Sequence, residues 1–384
     1  MPIENTIVAR IVRIDPPVTG SGAEMFRRYP DGFTISFDDD QSARLGPGDR
    51  AAGDLEILDE LRRIGAPVFV EIDPDTREIT RLLIPLVVTV ASLSQGDEGF
   101  VVQLEISHAR HVLRGDNPDF DALLSTLRTA RGQGTWLIVT EDDDHEIIDA
   151  RPDPRPPEGI RFERGPSGRA PEGHEPLLFY QPIKWLISFL KWCLGWLLCL
   201  IRWLRCLPAS RAREMFDLAA ATTCDPLTVP VPCIPFLYPD DGCWGRAHEM
   251  CRLFLDAGVS PAKVWIYGSL NVDTKNNPNC EVFWGWHVAP TLCVRRWFFQ
   301  TEQKVIDPAL FTGPVSKATW KGVQGDPSAL LVDTPASVFY RSFNGSTTTD
   351  PTYSQTNQVL ATYRLQLKNR SLGPHGPPPY ATCP

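Results

Sequence analysis

Three residue types suited to nucleophilic catalysis occur in the order cysteine, histidine, aspartate: Cys243, His287 and Asp307. Cys243 follows the turn-forming run Pro239-Asp240-Asp241-Gly242 and opens a helical pattern that stops at Gly258. Gaps of three and four residues put Cys243, Ala247, Met250, Phe254 and Ala257 on one stripe, so the thiol points into the fold from the first turn. Unpaired amides and the positive end of the helix dipole favour a thiolate there. A small buried apolar residue is the competing reading of the same cysteine.

Val282 to Ala289 reads as a strand, with Phe283, Gly285, His287 and Ala289 on one face and Val282, Trp284, Trp286 and Val288 on the other. Lys304 to Pro308 reads as a second strand that leaves Asp307 at an exposed end. The set supplies a thiolate, a proton acceptor and a carboxylate to fix the acceptor's tautomer. Trp244, Trp284 and Trp286 read equally well as the lining of a substrate groove or as core. His248 lies five residues along the helix from the thiol, about 140 degrees of rotation, so it and Arg246 are expected to be structural or supporting residues. The same rotation argues against a metal shared by Cys243, His248 and Cys251.

These stretches together resemble the bacterial protein-glutaminases. The blocks are Asp241-Gly242-Cys243-x-x-Arg246-Ala247-His248-x-Met250, Val264-x-x-Tyr267-Gly268, Trp286-His287-Val288-Ala289, Ile306-Asp307-Pro308-x-Leu310-Phe311-x-Gly313-Pro314-Val315 and Tyr340-Arg341-Ser342. The resemblance covers roughly 238 to 345 well and says nothing about the first half of the chain. It implies a papain- or transglutaminase-like α+β fold and hydrolysis of glutamine side-chain amides in proteins and peptides. By matching motif, Cys243 would be the nucleophile, His287 the general base and Asp307 the orienting carboxylate, with no cofactor and no metal. A transglutaminase or a cysteine protease could use the same triad, and a membrane-tethered binding protein with a degenerate site is the reading from another class. Family members carry an N-terminal pro-region that occludes the cleft until proteolysis, although no motif here matches it.

The elements that must position these residues sit in a chain of 384 residues, long enough for two or three domains. A net charge of -9 argues against a general nucleic-acid binder. Ten cysteines without a CxxC pair suggest neither a dense disulfide scaffold nor a zinc module. The stretch Met1 to Thr6 lacks the pattern of a secretory signal, so a cytoplasmic or membrane-associated protein is expected, with non-classical secretion as the route out. Typical export of the resembled family stands against this.

Residues 1–150 read as an α+β domain for binding, targeting or inhibition, built from a duplicated ββαββ module. The first copy has strands at Thr6 to Ile14, Gly32 to Phe37, Val68 to Ile72 and Glu78 to Leu83, with a helix at Asp54 to Ile64. The second has strands at Leu86 to Ser92, Gly99 to Ile106, Trp136 to Thr140 and Glu146 to Asp149, with a helix at Phe120 to Ala130. His108 and His111 read as surface or packing residues, and Glu141 to Asp144 as a solvated turn. Residues 151–176 read as a Pro/Gly-rich cleavable linker.

Residues 177–207 form an apolar, Trp-rich amphipathic segment. Within Ile183 to Leu207, Trp185, Trp192, Trp196 and Trp203 share an arc of about 40 degrees, and a lipid interface suits them. Cys193, Cys199 and Cys206 there suit packing more than acylation. Residues 208–384 are the expected catalytic domain, with a flexible tail from Gly373 to Pro384.

Overall fold

The structure is a computed structural model that describes residues 5–155, 203–228 and 232–383. In the N-terminal half, β1 (Thr6–Asp15) is flanked by β2 (Phe33–Phe37) and β4 (Pro67–Ile72), with β3 (Ser42–Leu45) and β5 (Ile79–Leu83) outside, giving the order β3-β2-β1-β4-β5. Helix α2 (Ala51–Ile64) covers this sheet with Leu55, Leu58 and Leu61 and ends where Gly65 turns left-handed at φ 66°. A short helix α1 (Gly22–Arg28), absent from the sequence reading, begins at a capping box in which Ser21 and Glu24 satisfy each other's backbone amides.

The same strand order follows in β6 (Leu86–Val88), β7 (Val90–Gln95), β8 (Gly99–Leu104), β9 (His111–Arg114), β10 (Leu137–Glu141) and β11 (Ile147–Pro152). The stretch 86–95 takes the place of β1, β6 pairing with β10 and β7 with β8, while helix α3 (Phe120–Gln133) packs as α2 does and also ends on a left-handed glycine, Gly134. The β4–β5 and β10–β11 turns each hold a non-glycine residue in the left-handed region, Arg77 at φ 58° and His145 at φ 60°.

In the C-terminal half, α4 (Ala209–Ala220) and α5 (Cys243–Asp256) pack on a sheet of order β15-β14-β13-β12-β16. Its strands are β12 (Ala262–Asp273), β13 (Glu281–Arg295), β14 (Thr301–Val305), β15 (Val315–Ser316) and β16 (Leu330–Pro335). Helix α6 (Lys317–Gly322), a small β17–β18 ladder (Val338–Arg341, Thr347–Thr349) and helix α7 (Ser354–Ser371) complete it. Helix α7 is wedged between the halves. Asn369 donates to Leu82 O and Gln366 to Ile84 O on one side, while Arg370 forms a buried ion pair with Asp240 at 2.7 Å on the other.

One of the buried hydrophobic clusters spans both halves. Leu104, Leu113, Leu127 and Val139 of the second N-terminal sheet belong to the same buried cluster as Cys243, Trp244, Ala247, Trp286 and Tyr363.

Disulfides join Cys206 to Cys293, Cys224 to Cys233 and Cys280 to Cys383, all within the C-terminal half. Cys206 is therefore neither acylated nor merely packed. The tail from Gly373 is tied down rather than loose, since Tyr380 and Cys383 are buried and Cys383 is cross-linked.

The expected membrane-facing stretch 183–207 lies, up to residue 202, outside the described residues, and with it Trp185, Trp192, Trp196, Cys193 and Cys199. Trp203 is described. Its indole donates to Arg296 O at 2.9 Å, and the Arg295 guanidinium covers its ring. Among the described residues, no helix is long and apolar enough to cross a membrane.

Candidate active site

Cys243 is the first residue of α5, held there by a backbone turn that only glycine fits. Gly242 has φ 83°, and a Cβ on it would meet Tyr363 Cδ2 at 2.3 Å. Asp241 braces the same turn, taking hydrogen bonds from its neighbour Gly242 N at 2.9 Å and from Tyr363 Oη at 2.5 Å. Arg246, one turn on, donates to Tyr238 O at 2.8 Å. His248 turns away from the thiol and lies 2.8 Å from the Lys263 ammonium, so neither Arg246 nor His248 competes for the role of base.

His287 sits on β13, where β12 bulges: Tyr267 faces Trp286, but the next pair is Leu270 with Trp284. This irregularity overturns the simple alternation read from the sequence. Trp284 packs in the cluster of Ala289 and Trp320 and stacks on His287 with ring centroids 4.5 Å apart, whereas Trp286 and Val288 pack in the cluster of Cys243. The His287 ring is thus sandwiched, with Trp320 at 5.5 Å as a further stacked ring.

Asp307 is buried, not at an exposed strand end, because β14 stops at Val305 and the chain turns inward. Its Oδ2 lies 2.9 Å from His287 Nε2 and accepts a 2.9 Å bond from Trp320 Nε1. Burial alone would raise the Asp307 carboxyl, but the imidazole and the two hydrogen bonds hold it below its ordinary value. With Nε2 engaged, His287 Nδ1 has no hydrogen-bond partner among the described residues. A ring nitrogen of His287 and the Cys243 sulfur lie within 4.8 Å of each other. Burial pushes the Cys243 thiol well above its ordinary value, against the pull of the Arg246 guanidinium. Cys243 is therefore held as the thiol in this closed arrangement.

The closure comes from the N-terminal half. Residues 108–110 lie along the edge of β13 through one antiparallel bridge, His108 O accepting from Gly285 N at 2.9 Å and Arg110 N donating to Phe283 O at 3.1 Å, with Ala109 opposite Trp284. Ser107 donates to Asp241 Oδ2 at 2.7 Å and His108 N to Asp241 Oδ1 at 3.0 Å. The His108 ring enters a box of Trp244, Trp284 and Trp286, at centroid distances of 6.2, 5.1 and 5.5 Å, and stands 5.7 Å from the His287 ring.

Of the two readings offered by the sequence for His108 and His111, surface or packing, the surface one fails, since both are fully buried. Burial lowers the His108 imidazole to about 4 despite the nearby Asp241 carboxylate. The Glu141–Asp144 turn is solvated only in part. Glu141 is enclosed between His111 and His145, and their charges hold it down at about 2 although burial opposes this. Asp143 and Asp144 are exposed. No spacing in the sequence announces His108 as a site residue, because the partners that define its setting are more than a hundred positions away.

A family model described as Glutaminase matches residues 212–324. Among solved structures, pro-protein-glutaminase is 22% identical, with 79% of this chain and 99% of that chain covered and a TM-score of 0.52. A mutant of pro-protein-glutaminase gives 22% identity, 73% and 92% coverage and a TM-score of 0.50. Protein-glutaminase itself is 32% identical over 41% of this chain and 91% of that one, with a TM-score of 0.37. No match is found among curated proteins.

Proposed function

The chain belongs to the protein-glutaminase family, and from that premise we propose that Cys243, His287 and Asp307 deamidate protein-bound glutamine while residues 107–110 stopper the site. The chain is a protein-glutamine deamidase, converting glutamine side chains to glutamate with release of ammonia. The observation that carries the residue assignment is the order of contacts: carboxylate on Nε2 of His287, nothing on Nδ1, and the sulfur close by.

In the opened site, His287 Nδ1 takes the thiol proton and the sulfur adds to the carboxamide carbon. Backbone amides at the start of α5, including that of Cys243, face the oxyanion. The imidazolium returns its proton to the leaving nitrogen, ammonia departs, and a thioester remains. Water then adds to the thioester as His287 accepts its proton, the proton passes to the sulfur, and glutamate leaves. Asp307 keeps the ring in the tautomer with Nδ1 bare.

The stopper reading rests on where His108 lies, in the tryptophan box where a glutamine side chain would enter. Coverage of 79% by the pro-form fold exceeds what the C-terminal half alone could supply. The N-terminal half is read as an inhibitory pro-region made of two copies of one module, given the repeated strand order and the paired turns at Arg77 and His145. The C-terminal half is read as a papain- or transglutaminase-like unit, its helix-borne cysteine packed against a strand-borne histidine. Three disulfides favour folding in an oxidising compartment over the cytoplasm.

The test is ammonia release from a glutamine-bearing protein, with and without added amine, before and after cleavage between residues 155 and 203. Ammonia should appear after cleavage and be lost in Cys243→Ala. Amine incorporation would point to a transglutaminase, and new N-termini to a protease.

A further inference from the structure

Both imidazoles at the closed site have one nitrogen beside a buried carboxylate and the other without a hydrogen-bond partner among the described residues. His287 Nε2 is hydrogen-bonded to Asp307 at 2.9 Å, while His108 Nδ1 lies 2.7 Å from Asp241 Oδ1 as an ion-pair contact without hydrogen-bond geometry. His287 Nδ1 and His108 Nε2, both fully enclosed, have no hydrogen-bond partner among the described residues. One nitrogen of each ring and the Cys243 sulfur lie within 4.8 Å of one another. Leaving buried polar atoms unpaired is costly, and a carboxylate behind each imidazole is the support that metal-binding histidines receive.

We propose that Cys243, His287 and His108 form a binding site for a thiophilic divalent cation such as Zn2+, assembled only while the N-terminal half is docked. Two ligands come from the C-terminal half and the third from the segment that blocks it. Binding converts the thiol to a metal-bound thiolate and releases one proton to solvent. Zinc requires its ligand atoms at roughly 2.0–2.3 Å, and the three candidate atoms already lie within 4.8 Å of one another. A cation bound this way stabilises the closed form by linkage and serves as a latch on the stopper.

The other histidine cluster is a poorer candidate. His111 Nδ1 and His145 Nδ1 both bond Glu141, and His111 Nε2 lies 2.7 Å from Ser107 Oγ, so its inward atoms are already paired.

The latch rests on the closed geometry, and its readout does not depend on the catalytic assignment. The full-length oxidised protein is titrated with Co2+ as a spectroscopic probe and back-titrated with Zn2+. One ion per chain is expected, with a thiolate-to-cobalt charge-transfer band, release of one proton, and displacement by zinc.

Losing an outer-shell partner typically costs about 10–100-fold in metal affinity, so losing a ligand should cost more than about 100-fold. That loss is expected in His108→Ala and in His108→Asn, which keeps the space filled. The band should vanish in Cys243→Ser. Thermal unfolding without metal checks that each variant is folded.

A folded wild-type chain without the band overturns the latch, as does unchanged affinity in both His108 variants or binding that depends on Glu141→Gln instead. A cleaved chain that releases ammonia in metal-free buffer while the intact chain binds no cobalt removes the latch alone. A cobalt band without ammonia release removes the enzymatic reading alone.

Discussion

At the scale of the residue, the site is a matter of which nitrogen is occupied. Asp307→Asn preserves size and one hydrogen bond but lets the imidazole adopt either tautomer, so kcat of the cleaved protein should fall by about 100-fold or more while KM changes little. Steady-state ammonia release measures this. Cys243 in the intact chain is a buried thiol pushed upward by desolvation. Alkylation by iodoacetamide at neutral pH should therefore be at least about tenfold slower in the intact chain than in the cleaved one; mass spectrometry of Cys243 reads the difference. That Cys243, His287 and Asp307 would lie together was legible from residue type and order. The depth of Asp307 was not, because its burial depends on a turn after β14 and on Trp320, which no local pattern announces.

At the scale of the element, the helix carrying the nucleophile depends on its entrance. Gly242→Ala places a Cβ against the Tyr363 ring in a left-handed backbone that L residues avoid, so a loss of roughly 1–3 kcal/mol is expected, visible as a lowered Tm. Arg370 on α7 is the sole guanidinium bonded to Asp240 among the described residues, and both are buried. Arg370→Ala leaves that carboxylate to Asn277 and the more distant His145, and should still cost about 3 kcal/mol, measured by denaturant unfolding.

Regular elements were the most readable features of the chain. The stripe of α5 and its stop near Gly258 follow from spacing alone, and the helices expected at Asp54 to Ile64 and Phe120 to Ala130 correspond to α2 and α3. Helix α1 could have been found from its Ser21–Glu24 box. The pleat slip on β13 could not, since it answers a bulge on a neighbouring strand and so lies outside any period-two reading of residues 282 to 289.

At the scale of the whole molecule, the two halves are joined by packing and by charge. His145 of the N-terminal half faces Glu141 and, across the boundary, Asp240 at 3.8 Å. Burial would lower its imidazole, but Glu141 outweighs it and raises the group from 6.5 to about 9. A group raised on folding contributes its stabilisation fully below its unfolded value and loses it as pH rises through the folded one. The intact protein should therefore lose stability between roughly pH 6.5 and 9, and His145→Gln should flatten that slope; Tm against pH for both proteins checks it. One buried cluster runs through both halves, built by contacts that connect positions too distant for sequence periodicity to reveal.

The antiparallel bridge that residues 108–110 make with β13 also bears on which glutamines are accessible. A substrate seated in the same way must present its glutamine on a short run of stretched backbone with free amide and carbonyl groups along one edge. Glutamines wound into stable helices would be spared and those on frayed termini, open loops or sheet borders attacked, so the pattern of deamidation across a folded protein would trace where its backbone can locally come undone.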